Sequence, residues 1–366
     1  METYLTVTEA QLDPKDVAKK IIAKLGSPDY LSADNNRPIY SPSADDVKCL
    51  CESVKDVAEN EEGVAKPRGR TIVVGDLHGN FNDLWRIIHA WLSDVVGGGP
   101  GQNIMFLGDI VDRGPRQIEC LILIMAYKAL FPYQVWIVRG NHEEANICGS
   151  FQNQLLVRGY RDDKTPSSRT RKSDDDEPKA KGVDAIDLLL ELFESLPVVG
   201  QIDERIVCMH GMLANELNKK LLRDGYKFHD TSYDTMNRQL RWNDPCQVNG
   251  VRHYGQLWGP KAIRDVMEDL GVEFILRGHQ AMTNGVRRFA NLPLATVFSS
   301  SFYQDENFGA ILYVDPEKNE IVPIFIVNHN DKIETQKDFD EELREGWKVD
   351  DYAVIPEDIT MKGMKK

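Results

Sequence analysis

The sequence contains no Cys-x-x-Cys pair; its six cysteines are scattered at positions 49, 51, 120, 148, 208 and 246 of 366 residues. This spacing offers neither a disulfide framework nor a thiolate zinc site, so reduced and mostly buried thiols are expected. Long apolar runs are missing too. The longest, Cys120 to Ala126, is far too short to span a bilayer. The opening residues Met1 to Thr8 lack the basic start and apolar stretch of a secretory leader. From these absences we expect an intracellular protein, cytoplasmic or nuclear, with no membrane span. A surplus of positive charge is also absent, since 44 Lys and Arg stand against 58 Asp and Glu for a net charge of −14. That balance argues against a nucleic-acid partner. It leaves phosphate chemistry open, because bound metal ions dominate the local field where phosphate is handled.

What remains is an ordinary globular composition, with 42% hydrophobic and 28% charged residues, enough for one large or two ordinary domains. No internal repeat is visible, but one pattern recurs between residues 71 and 279. A short Val- and Ile-rich run is followed by a Gly-rich polar motif and often by a stretch of helical spacing. Thr71–Gly75 precedes Asp76-Leu-His78, Asn103–Gly108 precedes Asp109, and Gln134–Val138 precedes Arg139-Gly-Asn-His142. Arg205–Met209 precedes His210, and Glu273–Leu276 precedes Arg277-Gly-His279. Such runs read as buried strands. Phe81, Leu84, Trp85, Ile88, Trp91 and Leu92 form one face of a helix. Residues 116–131, 185–196 and 260–270 behave alike, the last ending at Gly271 as a left-handed cap. The alternation implies an α/β core with functional groups at the carboxyl ends of its strands.

Those strand ends carry Asp76, His78, Asp109, Asn141, His210 and His279. Divalent ions of this class take carboxylate and imidazole ligands, and two ions roughly 3.5–4 Å apart call for a bridging carboxylate. Each residue alone has a plain structural explanation: a hydrogen-bonded core histidine, or an aspartate capping a helix or turn. Five motifs in order, each beside a glycine that permits close backbone approach, point to a shared site instead. Half of the eight histidines fall in these motifs.

The motifs Gly75-Asp-Leu-His-Gly79, Gly108-Asp-Ile-Val-Asp-Arg-Gly114 and Gly140-Asn-His-Glu143 resemble those of the PPP family of serine/threonine protein phosphatases, which includes type-1 phosphatase, type-2A phosphatase and calcineurin. The resemblance covers roughly residues 13–330, with weaker echoes at Arg241–Pro245, Arg277–Gln280 and Ser299–Tyr303. It implies a calcineurin-like metallophosphoesterase fold, a central β-sandwich flanked by helices with two metal ions (Mn, Fe or Zn) at one edge. Residue by residue, it implies Asp76, His78 and Asp109 as ligands of one metal. Asp109, Asn141, His210 and His279 are implied for the other, with Asp109 bridging. His142 matches the general acid and Asp112 the carboxylate that orients it. Arg113, Arg252 and Tyr303 match phosphate-binding groups. Departures such as His210-Gly-Met212, Leu240-Arg-Trp-Asn-Asp-Pro245 and Gly278 remove no ligand and mark a divergent member.

The resemblance therefore implies metal-dependent hydrolysis of phosphoserine and phosphothreonine by direct attack of a water shared between the ions. The alternatives are a small-molecule phosphoesterase of the dinucleoside polyphosphate type and a pseudophosphatase scaffold. Phosphoprotein substrates and regulatory subunits are the implied partners. Residues 1–335 are expected to form one catalytic domain, with a disordered insertion near 161–182 and a charged tail over 336–366 anchored by few apolar residues, Ile355 among them. Type-1 relatives recruit regulators by adding a Val-x-Phe strand to a sheet edge. Here Arg288 replaces an apolar groove residue, and Pro323 on the edge strand Ile321–Phe325 is expected to resist an added strand.

Overall fold

Val- and Ile-rich runs pair into two six-stranded sheets in the computed structural model, which describes residues 12–27, 30, 40–93, 101–160, 184–227, 230–252, 254–303, 307–326 and the backbone of 353–355. The expected insertion at 161–182 and most of the 336–366 tail lie outside the described residues. In chain order the helices are α1 (Pro14–Leu25), α2 (Ala44–Glu59), α3 (Phe81–Leu92), α4 (Gln117–Leu130) and α5 (Gly149–Val157). They continue as α6 (Ala185–Ser195), α7 (Lys219–Asp224), α8 (Asp234–Trp242) and α9 (Pro260–Leu270). The first eight strands are β1 (Val64–Ala65), β2 (Thr71–Val74), β3 (Asn103–Phe106), β4 (Val135–Ile137), β5 (Val199–Ile202), β6 (Ile206–Met209), β7 (Asp244–Pro245) and β8 (Gly250–Arg252). The remainder are β9 (Gly255–Trp258), β10 (Phe274–Arg277), β11 (Val286–Arg288), β12 (Leu294–Val297), β13 (Gly309–Asp315), β14 (Glu320–Ile326) and β15 (Ala353–Ile355).

One sheet runs β1-β5-β6-β10-β12-β11 and the other β15-β14-β13-β2-β3-β4. Their inner faces share a core in which Val73, Met105 and Leu107 of one sheet meet Cys208, Leu276 and Val297 of the other. The outer face of the second sheet is covered by α1 to α6, and that of the first by the segment from Leu213 to Leu270. The expected sandwich flanked by helices is thus observed. Several of its helices begin or end where their sequences provide caps. Asn80 caps α3, Ser43 and Asp46 form a reciprocal capping box on α2, and Gly271 ends α9 at φ 64°.

Register places the site. Strands β2, β3 and β4 are parallel with Val74, Phe106 and Ile137 level, so the loops after them emerge at one edge. Strands β6, β10 and β12 are parallel with Met209, Arg277 and Thr296 level. The two edges converge, and Asp76 bridges to Phe298 across them. Gly75 is required at that crossing, because a Cβ there would lie 2.0 Å from the carbonyl oxygen of Val297.

The edge reading at Ile321–Phe325 needs correction. Strand β14 is not an edge, because β15 pairs with it in parallel at Ile324, Phe325 and Ile326. Pro323 has no N–H and must turn its nitrogen away from β13, which leaves the outward edge lacking a donor at that position. Pairing begins one residue beyond, and Phe325, in phase with Pro323 by the two-residue repeat, directs its backbone outward. Part of the tail expected to be solvated decoration therefore completes the sheet. Among the described residues no helix is long and apolar enough to cross a membrane.

Candidate active site

The loops after β2, β3, β4, β6 and β10 bring all six expected ligand residues together, each with little or no solvent exposure. Two groups of donor atoms lie within 4.8 Å of one another: His78, Asp109 and His142, and Asp109, His210 and His279. Asp109 belongs to both. Its Oδ2 is 3.6 Å from His78 Nε2 and 3.3 Å from His210 Nε2, while its Oδ1 accepts the His142 backbone N–H at 2.9 Å. Asp76 Oδ2 lies 3.9 Å from His78 Nε2, and its Oδ1 accepts the His279 backbone N–H at 2.9 Å. Asn141 Oδ1 sits 2.8 Å from His210 Nε2 and 2.9 Å from His279 Nδ1.

Ring orientations follow from backbone carbonyls. His78 Nδ1 donates to the Val111 carbonyl at 3.1 Å and His210 Nδ1 to the Leu107 carbonyl at 2.9 Å. Each carbonyl can only accept, so a neutral ring keeps its lone pair on Nε2. In His210 that lone pair would face Asn141 Oδ1 and Asp109 Oδ2, two further acceptors. Acceptors converging on a buried space fit a cation, and the carboxylate, imidazole and amide mixture fits a divalent one. Charges respond to the same crowding. Burial pushes the Asp76 carboxyl up, with neighbouring His210 opposing and Asp109 adding to the rise. Burial opposes ionisation of Asp109 too, but His210 and His142 outweigh it and hold that carboxyl well below its usual range.

His142 is committed elsewhere than Asn141. Its Nδ1 pairs with Asp112 Oδ2 at 2.8 Å, and its Nε2 stands 3.9 Å from Asp109 Oδ2. Although it falls in a donor group, an imidazole held by a second carboxylate suits proton transfer better than ligation. Burial would lower its pKa, yet Asp109 and the Asp112 hydrogen bond raise it overall. Burial likewise works against Asp112, but His142 and Ser150 hold its carboxyl at about 2. Arg113 is exposed at the rim, beside the Tyr303 ring that stacks on His78 at 5.1 Å between centroids. Arg252, on the exposed strand β8, bonds Asp244 Oδ2. Five site residues occupy left-handed backbone: His78 (φ 46°), Asp109 (51°), Asp112 (68°), Arg113 (78°) and His279 (68°). Each such conformation costs about 1–3 kcal/mol and persists only where the surroundings enforce it.

Three supporting residues carry no role in the sequence reading. Glu143 is fully buried, and its carboxylate accepts N–H groups from Asp109 (2.7 Å), Ile110 (2.8 Å), Val111 (3.3 Å) and Gly140 (2.9 Å). It ties two ligand loops together. Its place in Gly140-Asn-His-Glu143 was the available signal, but nothing local reveals a partner 34 residues away. Asp244 is buried and joins Arg252 to Arg277, whose Nη2 donates to it at 2.8 Å. Asp83, on the first turn of α3, accepts from the Ser301 N–H and hydroxyl at 2.7 Å each and so fixes the loop that presents Tyr303. Glu143→Gln replaces one acceptor oxygen by a donor amide facing N–H groups. It should weaken metal affinity roughly 10–100-fold, the scale of outer-shell changes, as read by titration into metal-stripped protein.

The model for calcineurin-like phosphoesterases matches residues 69–282. The chain is 28% identical over 320 residues to the serine/threonine-protein phosphatase BSL2 of Arabidopsis thaliana, covering 83% of this chain and 30% of that protein. It therefore spans under a third of that relative's length. Among solved structures, a protein serine/threonine phosphatase from Saccharomyces cerevisiae with similarity to human phosphatase PP5 superposes with a TM-score of 0.64 at 25% identity. The match covers 77% of this chain and 85% of that one. The family match implies divalent metal ions, in accord with the clustered aspartates and histidines.

Proposed function

Because this chain belongs to the calcineurin-like phosphoesterase family, we propose that it hydrolyses phosphoserine and phosphothreonine in proteins with two bound metal ions. The observation that carries the reading is Asp109 at the centre of two donor groups, next to the His142–Asp112 pair. Asp76, His78 and Asp109 would hold one ion, and Asp109, Asn141, His210 and His279 the other. Manganese, iron and zinc all suit this mixed set. Such ions acidify water and offset phosphate charge. Arg113 and Arg252 offer guanidinium donors matched to phosphate oxygens, with Tyr303 beside them. For Arg252 this means exchanging its Asp244 carboxylate for substrate. His142 delivers a proton from Nε2 to the departing serine or threonine oxygen, a poor leaving group, while Asp112 holds the other side of the ring.

The names of the plant and yeast relatives support a protein substrate over a small phosphoester. The six cysteines, all free, agree with a reducing compartment such as cytoplasm or nucleus. A single catalytic domain, expected over residues 1–335, is supported by the core shared by both sheets, with β15 at 353–355 joining that domain from beyond the expected bound. The deciding experiment compares phosphopeptides with dinucleotides and an aryl phosphate, using purified protein before and after chelation. Activity that survives complete metal removal would sink the reading. Preference for nucleotides would transfer it to the small-molecule class, and inactivity on everything with metal bound would leave a scaffold.

Regulatory subunits, if recruited, meet a sheet whose β14 edge already carries β15. We expect a Val-x-Phe peptide titrated by calorimetry to bind weakly or not at all. Micromolar binding matching a type-1 phosphatase run alongside would contradict this.

A further inference from the structure

Asp112 turns its two oxygens to different partners. Oδ2 meets His142 Nδ1 at 2.8 Å, while Oδ1 accepts from Ser150, both from its hydroxyl and from its backbone N–H at 3.3 Å. Ser150 stands on the first turn of α5, 38 residues further along the chain, outside every motif that carries a ligand. Its hydroxyl has a single hydrogen and two lone pairs. The Arg113 N–H reaches the oxygen at 3.1 Å and Gln117 Nε2 reaches it at 3.2 Å. Both of these groups can only donate, so they occupy the lone pairs and leave the hydrogen for Asp112. The network, not a free rotor, fixes the direction of that bond.

The surroundings tie Ser150 to the acid pair in three further ways. Helix α5 has no side-chain cap from Cys148; the Asp112 carboxylate accepts the Ser150 N–H instead, at the end where the helix dipole favours negative charge. Gln117 closes the ring, its Oε1 accepting the Asp112 N–H at 2.9 Å and its Nε2 donating also to the Gly114 carbonyl at 2.9 Å. Asp112 and Arg113 are both left-handed, and Ser150 holds the peptide between them through the Arg113 N–H. Without the hydroxyl, Oδ1 keeps only the long N–H contact at 3.3 Å, a weak restraint. The carboxylate can then turn about its last torsion and take the imidazole with it.

We propose that Ser150 is a positioning residue for proton delivery, its hydroxyl setting the Asp112 carboxylate and the carboxylate setting the His142 ring. The inference rests on the acid role given to His142 and deepens it. A different route runs through Arg113, whose N–H the same oxygen accepts. That route would loosen phosphate binding and not proton transfer.

The test uses full-length protein loaded with manganese. Ser150 is exposed, so its substitution opens no core cavity. Ser150→Ala should lower kcat on phosphoserine peptides about tenfold, the scale of one hydrogen bond to a charged group, with KM within about twofold. The loss should shrink on an aryl phosphate. Ser150→Thr keeps the hydroxyl and should restore most of the rate. Ser150→Val, its isostere without the hydroxyl, should not, and this pair decides if the alanine variant melts early. In the His142→Asn background, Ser150→Ala should cost nothing more. Where His142→Asn shows the leaving-group dependence of an acid, three results overturn the proposal: a raised KM with kcat kept, an equal loss on both substrates, or additive losses in the double variant. Nuclear magnetic resonance of nitrogen-labelled histidine, in zinc-loaded protein because zinc is diamagnetic, separates this inference from the acid reading. The Nδ1 signal that disappears in His142→Asn should shift in Ser150→Ala and return in Ser150→Thr. If no phosphopeptide is turned over, or His142→Asn shows no leaving-group dependence, the acid reading falls and that signal judges Ser150 alone. A shift keeps Ser150 as the residue that sets the ring, and an unmoved signal rejects it.

Discussion

Asp109→Asn should cost more activity than any other single ligand change. The substitution keeps size and one carbonyl oxygen but removes the charge and one of two shared acceptors. Asp109 Oδ2 is the atom facing both His78 and His210, and Oδ1 holds the His142 backbone N–H at 2.9 Å. Losing it therefore loosens both donor groups and the general acid together. The drop in kcat should exceed the roughly 10–100-fold that outer-shell changes cause, and the bound metal should fall from two ions per chain toward one or none. Elemental analysis by mass spectrometry, with circular dichroism to check folding, measures this. A variant that keeps two ions and near-normal turnover would show that Asp109 is not shared.

His142→Asn should lower kcat by roughly 10²–10⁴-fold on phosphoserine peptides, the usual scale of general acid catalysis. The loss should shrink on an aryl phosphate, whose leaving group departs without a proton. Metal content should be preserved, because the His142 ring is held through Nδ1 by Asp112 at 2.8 Å and is proposed as the acid, not as a ligand. That outcome would separate His142 from the proposed ligands of its donor group. An equal loss on both substrates, or the loss of one ion, would move His142 out of the acid role and into the metal site.

The position of Asp109 was legible in the sequence because its motif follows a buried strand, and parallel strands that end level must place such motifs at one edge. The acid role of His142, by contrast, was implied only by the resemblance of its motif. The helices at 185–195 and 260–270 were legible because a 3.6-residue period with a cap at one end, Asp184 in the first and Gly271 in the second, is a local property. The helix at 117–130, however, is buried almost all round and has no side-chain cap. Glu143 was visible as a letter of its motif, but its job was not. That job depends on Asp109 arriving 2.7 Å away from a different strand. Asp244 was equally opaque, since its partners Arg252 and Arg277 lie on separate elements.

The β14 edge marks the limit most clearly. Pro323 does deny its own N–H to an incoming strand, as the sequence says. Whether the next residues stay unpaired depends on where the chain returns, and here Ala353–Ile355 come back to lie beside them. Local chemistry alone thus determined the elements, the ligand types and their order along the chain, because caps, periodicity and metal preference act over a few residues. Only the tertiary structure decided which oxygen two donor groups share, which carboxylates hold the site's arginines and loops, and which edge is covered. Those are distances between residues far apart in sequence, set by the packing of two sheets against each other.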